Sequence, residues 1–134
     1  MSAPEAEPII TGVDFVSIPT TDLERAVAFY GETLGLHRSV HRPDVGFAEF
    51  ETGTVTLSVL DPRSMGIGDF QANANVLALH VADVDAARAR LQERGVSFFG
   101  DIFDTGVCHM AFFADPDGNR LMLHCRYAPR VTED

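Results

Sequence analysis

The chain is expected to fold as an α+β protein built from two tandem β-α-β-β-β units, and three observations carry that expectation. The first is internal duplication. "VDFVSIPTTDLERAVAFYGETLGLH" and "NVLALHVADVDAARARLQERGVSF" each run from a strand-like stretch through a helix-capping acid into a helix-period segment. Aligning Asp22 with Asp83 gives an offset of 61 residues, close to half of the 134-residue chain. The second is that three strand-like runs follow each helix. The third is "FFADPDGNRLMLHC", where five turn formers, Asp115 to Asn119, separate two apolar runs and so mark a hairpin.

Residues 1–12 read as a disordered tail, and a single domain spans 13–127. Its first unit, 13–60, opens with a strand over about 13–19. Thr21 and Glu24 then have the spacing of a capping box. Leu23, Ala26, Val27, Tyr30 and Leu34 make one apolar helix face, and Gly35 stands where a left-handed terminal residue belongs. Strands near 37–42, 45–51 and 54–60 follow, the last two joined at Glu51-Thr52-Gly53-Thr54. In that hairpin Glu49 is set to oppose Thr56, and Phe47 to oppose Ser58. Residues 61–75 form a Gly-containing linker long enough to serve as a lid. The second unit, 76–127, repeats the plan: a strand near 75–82, then a helix capped by Asp83, with Val84, Ala87 and Leu91 inward and Gly95 at its end. Strands near 96–103, 107–114 and 120–126 complete it, and 128–134 is a second tail.

Composition narrows the function. At 46% hydrophobic residues the chain can build a core. No apolar run approaches the ~20 residues of a membrane span, and the N-terminus lacks a basic-then-apolar leader, so a cytoplasmic protein is expected. A net charge of −10 argues against nucleic acid and anionic membrane surfaces as partners. The two cysteines, Cys108 and Cys125, are too few for a disulfide framework. They sit on antiparallel neighbours with opposite side-chain directions, so no bridge between them is expected.

In order and spacing, "DLERAVAFYGETLGL", "VADVDAARARLQERGV" and "FFADPDGNRLML" resemble the vicinal oxygen chelate superfamily. That group includes glyoxalase I, extradiol dioxygenases and the bleomycin and fosfomycin resistance proteins, and the resemblance covers roughly residues 13–126. It implies an eight-stranded, cupped mixed sheet with helices outside and a ligand cavity inside, holding a divalent metal in the enzymes. The family takes its metal ligands from the first and last strands of each unit. Those positions fall on Phe15, Ser58, Val76 and Met122, none of which offers a carboxylate or imidazole. The family's metal site is absent as written, and no cofactor is expected.

Strand alternation assigns the cavity face. Phe15 and Ser17 share it in the first strand, Phe47 and Glu49 in the third, Thr56 and Ser58 in the fourth. In the second unit Val76, Ala78 and His80 share it, with Met122 and His124 on the last strand and Cys108, Met110 and Phe112 opposite them. The helix-side sets are apolar except Asp14, a solvated strand start. His80 and His124 read as half-exposed strand-end residues. Alternatively, together with Glu49, they form an acid–base pair or a displaced metal site. His109 points away from the cavity, His41 lies beside Arg42-Pro43, and Cys108 reads as an apolar filler.

Two functions follow. One is a small-molecule-binding protein. Its apolar cup (Phe15, Phe47, Val76, Met110, Phe112, Met122), with Ser17, Thr56 and Ser58 as polar handles, holds a neutral or cationic aromatic ligand, and the protein is a homodimer. The other is a lyase, isomerase or dioxygenase-like enzyme working through His80, His124 and Glu49.

Overall fold

In the computed structural model, which describes residues 7–130, each half of the chain forms one four-stranded mixed sheet covered on one side by a helix. The first unit comprises β1 (Phe15–Pro19), α1 (Leu23–Ala28), β2 (His37–Arg42), β3 (Phe47–Glu51) and β4 (Thr56–Leu60). The second comprises β5 (Leu77–His80), α2 (Val84–Glu93), β6 (Phe98–Asp104), β7 (Cys108–Ala114) and β8 (Arg120–Arg126). Strand order is β1-β4-β3-β2 in one sheet and β5-β8-β7-β6 in the other. In each, the first and last strands pair in parallel and the remaining pairs are antiparallel. The eight strands therefore divide into two sheets and do not hydrogen bond into one continuous sheet. Of the expected tails, residues 1–6 and 131–134 lie outside the described residues, while Ile9 and Ile10 are 99% and 79% exposed.

Burial follows the predicted alternation. Ile18, Ala48, Phe50, Leu57 and Val59 from the first unit and Ala111, Phe113, Leu121 and Leu123 from the second are all at most 3% exposed. With Tyr30, Val84 and Leu91 they form one contiguous core on the helix side. Each fully buried phenylalanine there, Phe50 and Phe113, contributes roughly 1.5–3 kcal/mol. α1 packs on β3 and β4, and α2 on β6, β7 and β8.

Three local details differ from expectation. The cap of α1 is Asp22, whose carboxylate accepts from the Arg25 amide at 3.2 Å; Thr21 takes no part in a capping box, because its hydroxyl and amide are used elsewhere. The helix does not continue regularly to Leu34. It widens into a π-helical turn over Phe29–Thr33, with Leu34 N–H donating to the Phe29 carbonyl. Two successive aromatic residues, Phe29 and Tyr30, are buried there. Finally, the β3–β4 register lies two residues from the expected one: Glu49 opposes Ser58, Phe47 opposes Leu60, and Glu51 opposes Thr56. The turn is Thr52–Val55, one residue later than the sequence suggested. The Thr52 hydroxyl fixes it, accepting from the Val55 amide at 3.0 Å and donating to the Val55 carbonyl at 2.6 Å. Because the shift is even, every side chain keeps its face.

The Asp115–Asn119 turn joins β7 and β8 as expected, and it also locks the two units together. Gly118, at φ +87°, closes it with its N–H on the Asp115 carbonyl. Asp117 accepts from the Thr20 hydroxyl, the Thr21 amide and hydroxyl, and Arg25. Asp115 accepts from the buried Tyr30 hydroxyl at 2.7 Å and from Asn119 Nδ2 at 2.8 Å. Burial and the Asp115 carboxylate push the Tyr30 phenol far above its ordinary range. The linker is held too: Asn73 donates its backbone N–H to Asn119 Oδ1 and its side-chain amide to the Ser17 carbonyl. Asn119 caps the Pro19 carbonyl in the same way, so side-chain amides cover carbonyls along the free edge of β1.

Candidate functional site

The face of each sheet opposite the helices carries the candidate residues. In the first unit Ser17, Ser58 and Glu49 stand in one register row across β1, β4 and β3, and Phe15, Thr56 and Glu51 in the next. In the second, Ala78, Met122 and Phe112 form one row across β5, β8 and β7, and His80, His124 and Met110 the next. Pairing of the first and last strands places His80 opposite His124 in the parallel register. Glu49 belongs to the other sheet.

The expected enclosed cavity is an open face in the single chain. Phe15 is 56% and Val76 41% exposed, Ser17, Ala78 and His80 are exposed, and Phe47, Glu49, Thr56, Met110, Phe112, Met122 and His124 are half-buried. Ser58 alone among these is buried. The face is apolar around a few polar groups, with large aromatic and thioether surface on β7 and β8.

Two residues of this face escaped the sequence reading. Glu51, assigned to the turn, ends β3 on the same side as Glu49 and accepts hydrogen bonds from the Ser39 and Thr56 hydroxyls. Those bonds, Ser39 first, hold its carboxyl below the usual range. Its signal was the odd-numbered alternation of β3. Arg126 continues the row Met122, His124 on β8 and opposes Cys108. Its Nε is buried without a partner among the described residues, while Nη2 donates to the Pro129 carbonyl at 3.2 Å. Period two alone would have found it.

His109 and the two cysteines have other surroundings. His109 lies 3.3 Å from Asp104 and packs at a 39° tilt against Tyr127, whose hydroxyl also binds Asp104 at 2.8 Å. The Gly106 amide and then Tyr127 hold the Asp104 carboxyl low. Cys108 is buried and Cys125 half-buried, both as free thiols; Cys108 opposes Arg126, and Cys125 opposes His109.

A divalent ion does not fit the family positions. Phe15, Ser58, Val76 and Met122 present a ring, a hydroxyl, an aliphatic group and a thioether. Among the described residues, no three or more His, Cys, Asp or Glu side chains gather in an arrangement that could hold a metal.

Residues 12–123 match the family model of the Glyoxalase/Bleomycin resistance protein/Dioxygenase superfamily. An uncharacterized protein of Mycolicibacterium smegmatis is 30% identical over 112 residues, 84% of this chain and 91% of its own. Among solved structures, a glyoxalase family protein from Bacillus anthracis superposes with a TM-score of 0.77 at 22% identity, covering 90% of this chain and 99% of that one. TnmS3, an antibiotic binding protein from Streptomyces sp. CB03234, is 32% identical with a TM-score of 0.70, covering 87% and 97%.

Proposed function

The chain belongs to the glyoxalase/bleomycin resistance protein/dioxygenase superfamily, and we propose that within it this is a small-molecule-binding protein without the family's metal chemistry. The observation that carries the reading is the open face itself: Phe15, Ser58, Val76 and Met122 occupy the family's ligand positions, with Phe112, Met110 and Phe47 around them. The 32% identity to an antibiotic binding protein supports it. The ligand is a flat aromatic molecule, neutral or cationic, since a protein of net charge −10 disfavours phosphorylated compounds. Arg126 Nε is a donor for an acceptor oxygen at the ligand's edge, and Ser17, Thr56 and Ser58 are the polar handles of the first sheet. The protein acts as a homodimer in which a second copy helps cover the open face. A cytoplasmic location belongs to this reading: no helix among the described residues is long and apolar enough to cross a membrane, and both thiols are free.

Metal analysis and a thermal-shift screen test it together. Protein purified without chelator should carry substoichiometric zinc, nickel or iron, and neutral or cationic polycyclic aromatics should raise its Tm. Met122→Glu places an unpaired carboxylate among apolar groups. It should lose that Tm response without gaining metal. Stabilisation by phosphates or anionic thioesters alone would contradict the proposal. The alternative, a lyase, isomerase or dioxygenase-like enzyme, draws on the His80–His124 pairing with Glu49 as a third group. One tightly held metal per chain, lost in His80→Ala, would favour it.

A further inference from the structure

A cleft of about 480 Å³ lies between the two units, lined mainly by helix-side residues and reaching Ala78 and His80 of β5 at the margin of the open face. Its wall is aliphatic: Leu34 and Leu36 beyond α1, Leu57 of β4, Leu79 of β5, Leu91 of α2 and Leu123 of β8 all contribute. Leu57, Leu91 and Leu123 belong to the core, so the cleft reaches the base of the protein interior. The volume falls within the roughly 300–1,000 Å³ of small-molecule sites.

Its formally charged residues have one sign. Arg90 and Arg94 line the cleft and no Asp or Glu among the described residues does, in a chain with 20 acidic residues against 10 basic ones. Arg94 uses Nη1 to hold the Glu32 and Thr33 carbonyls at 3.2 and 2.8 Å, which anchors its guanidinium across the gap between the units. Arg90, one turn earlier on α2, is exposed and has no ion pair among the described residues. An aliphatic slot next to two arginines, one fixed and one unengaged, is complementary to an amphiphile with a single negative charge.

The geometry points to this cleft as a binding site for an organic monocarboxylate with an extended apolar tail, separate from the aromatic ligand of the open face. The tail lies along Leu34, Leu36, Leu79 and Leu123, and the carboxylate meets Arg90 and the free edge of the Arg94 guanidinium. A phosphate monoester, with its second charge and larger hydration shell, fits the aliphatic slot less well.

Decanoate, decanol and decyltrimethylammonium form the test, each titrated into the full chain by calorimetry and by methyl NMR. Decanoate should bind saturably and shift the methyl signals of Leu34, Leu36, Leu79 and Leu123, leaving those of Met110 and Met122 in place. One charge-assisted hydrogen bond corresponds to about tenfold in affinity. Decanol should therefore bind at least about tenfold more weakly, and the cationic amphiphile more weakly still. Arg90→Glu, at an exposed position, should fold normally and lose at least the same factor, and Ala87→Phe, which fills the slot, should abolish binding. Absence of saturable decanoate binding, equal affinity for decanol, full affinity in either variant, or shifts confined to Met110 and Met122 would each overturn the assignment.

Discussion

At Asp117 four hydrogen bonds converge on a side chain only 1% exposed: Thr20 Oγ1 at 2.6 Å, Thr21 N at 2.9 Å, Thr21 Oγ1 at 2.7 Å and Arg25 Nη2 at 2.8 Å. Burial by itself would raise the carboxyl's pKa. The Thr20 and Thr21 donors, aided by Arg25, outweigh it and hold the group below its ordinary value. A folded-state value below the unfolded ~3.9 means that the stabilisation is present above that pH and is lost as pH falls through the folded value. Asp117→Asn keeps the shape but removes the charge and turns one acceptor into a donor facing donors. It should cost about 1–3 kcal/mol at pH 7, and its acid limb should be flatter than that of the wild type, so the two stability curves converge toward pH 3. Urea unfolding at pH 7 and pH 3 measures this, and an equal gap at both would refute the role given to the charge. The sequence announced this residue only as a turn former. Its partners, 92 to 97 positions away, have no local signature.

Strands and helices were legible where a local pattern decided them. β2 and β8 have the expected limits, the faces of all central strands follow period two, and Asp83 caps α2 through the Ala86 amide at 3.0 Å. At Thr21 and Glu51 a tertiary partner outcompeted a local motif. Thr21 leaves its capping box because Asp117 offers a stronger acceptor, and Glu51 leaves the turn because Ser39, the residue bypassed where β2 bulges, engages its carboxylate. Arg126 stands one period of two beyond His124 on β8. The linker shows the same competition. Its length suggested a lid, yet Asn73 ties it to β1 and to Asn119, itself 1% exposed and bound to Asp115 and the Pro19 carbonyl. Asn73→Ala should cost about 1 kcal/mol, since Ser17 is left facing solvent, and Asn119→Ala about 2–3 kcal/mol, since buried groups lose their partners. Because the residues share one network, the double variant should lose less than the sum of the two. Strict additivity in urea melts would mean that linker and turn are independent, and that residues 71–75 are free to move as a lid.

For the molecule as a whole, the unresolved element is the apolar surface opposite the helices. The helix sides of both sheets merge into one core, whereas Val13, Phe15 and Val76 on the other side are 65%, 56% and 41% exposed. An exposed patch of this kind, beside free strand edges, marks an interaction surface. A net charge of −10 opposes indiscriminate association but does not oppose a single apolar contact with a two-fold axis, where one patch meets its own copy. We therefore predict a homodimer at micromolar concentration, with a light-scattering mass twice that of the 14.6 kDa chain. Phe15→Asp separates association from folding. At a site more than half exposed in the single chain it should leave the unfolding midpoint of the monomer nearly unchanged while shifting the mass to that of one chain. The aromatic ligand proposed for the open face should then bind more weakly, because the second copy no longer covers it. A wild-type mass that stays monomeric at high concentration, or a Phe15→Asp variant that remains dimeric, would place the contact elsewhere and leave each chain to bind its ligand alone.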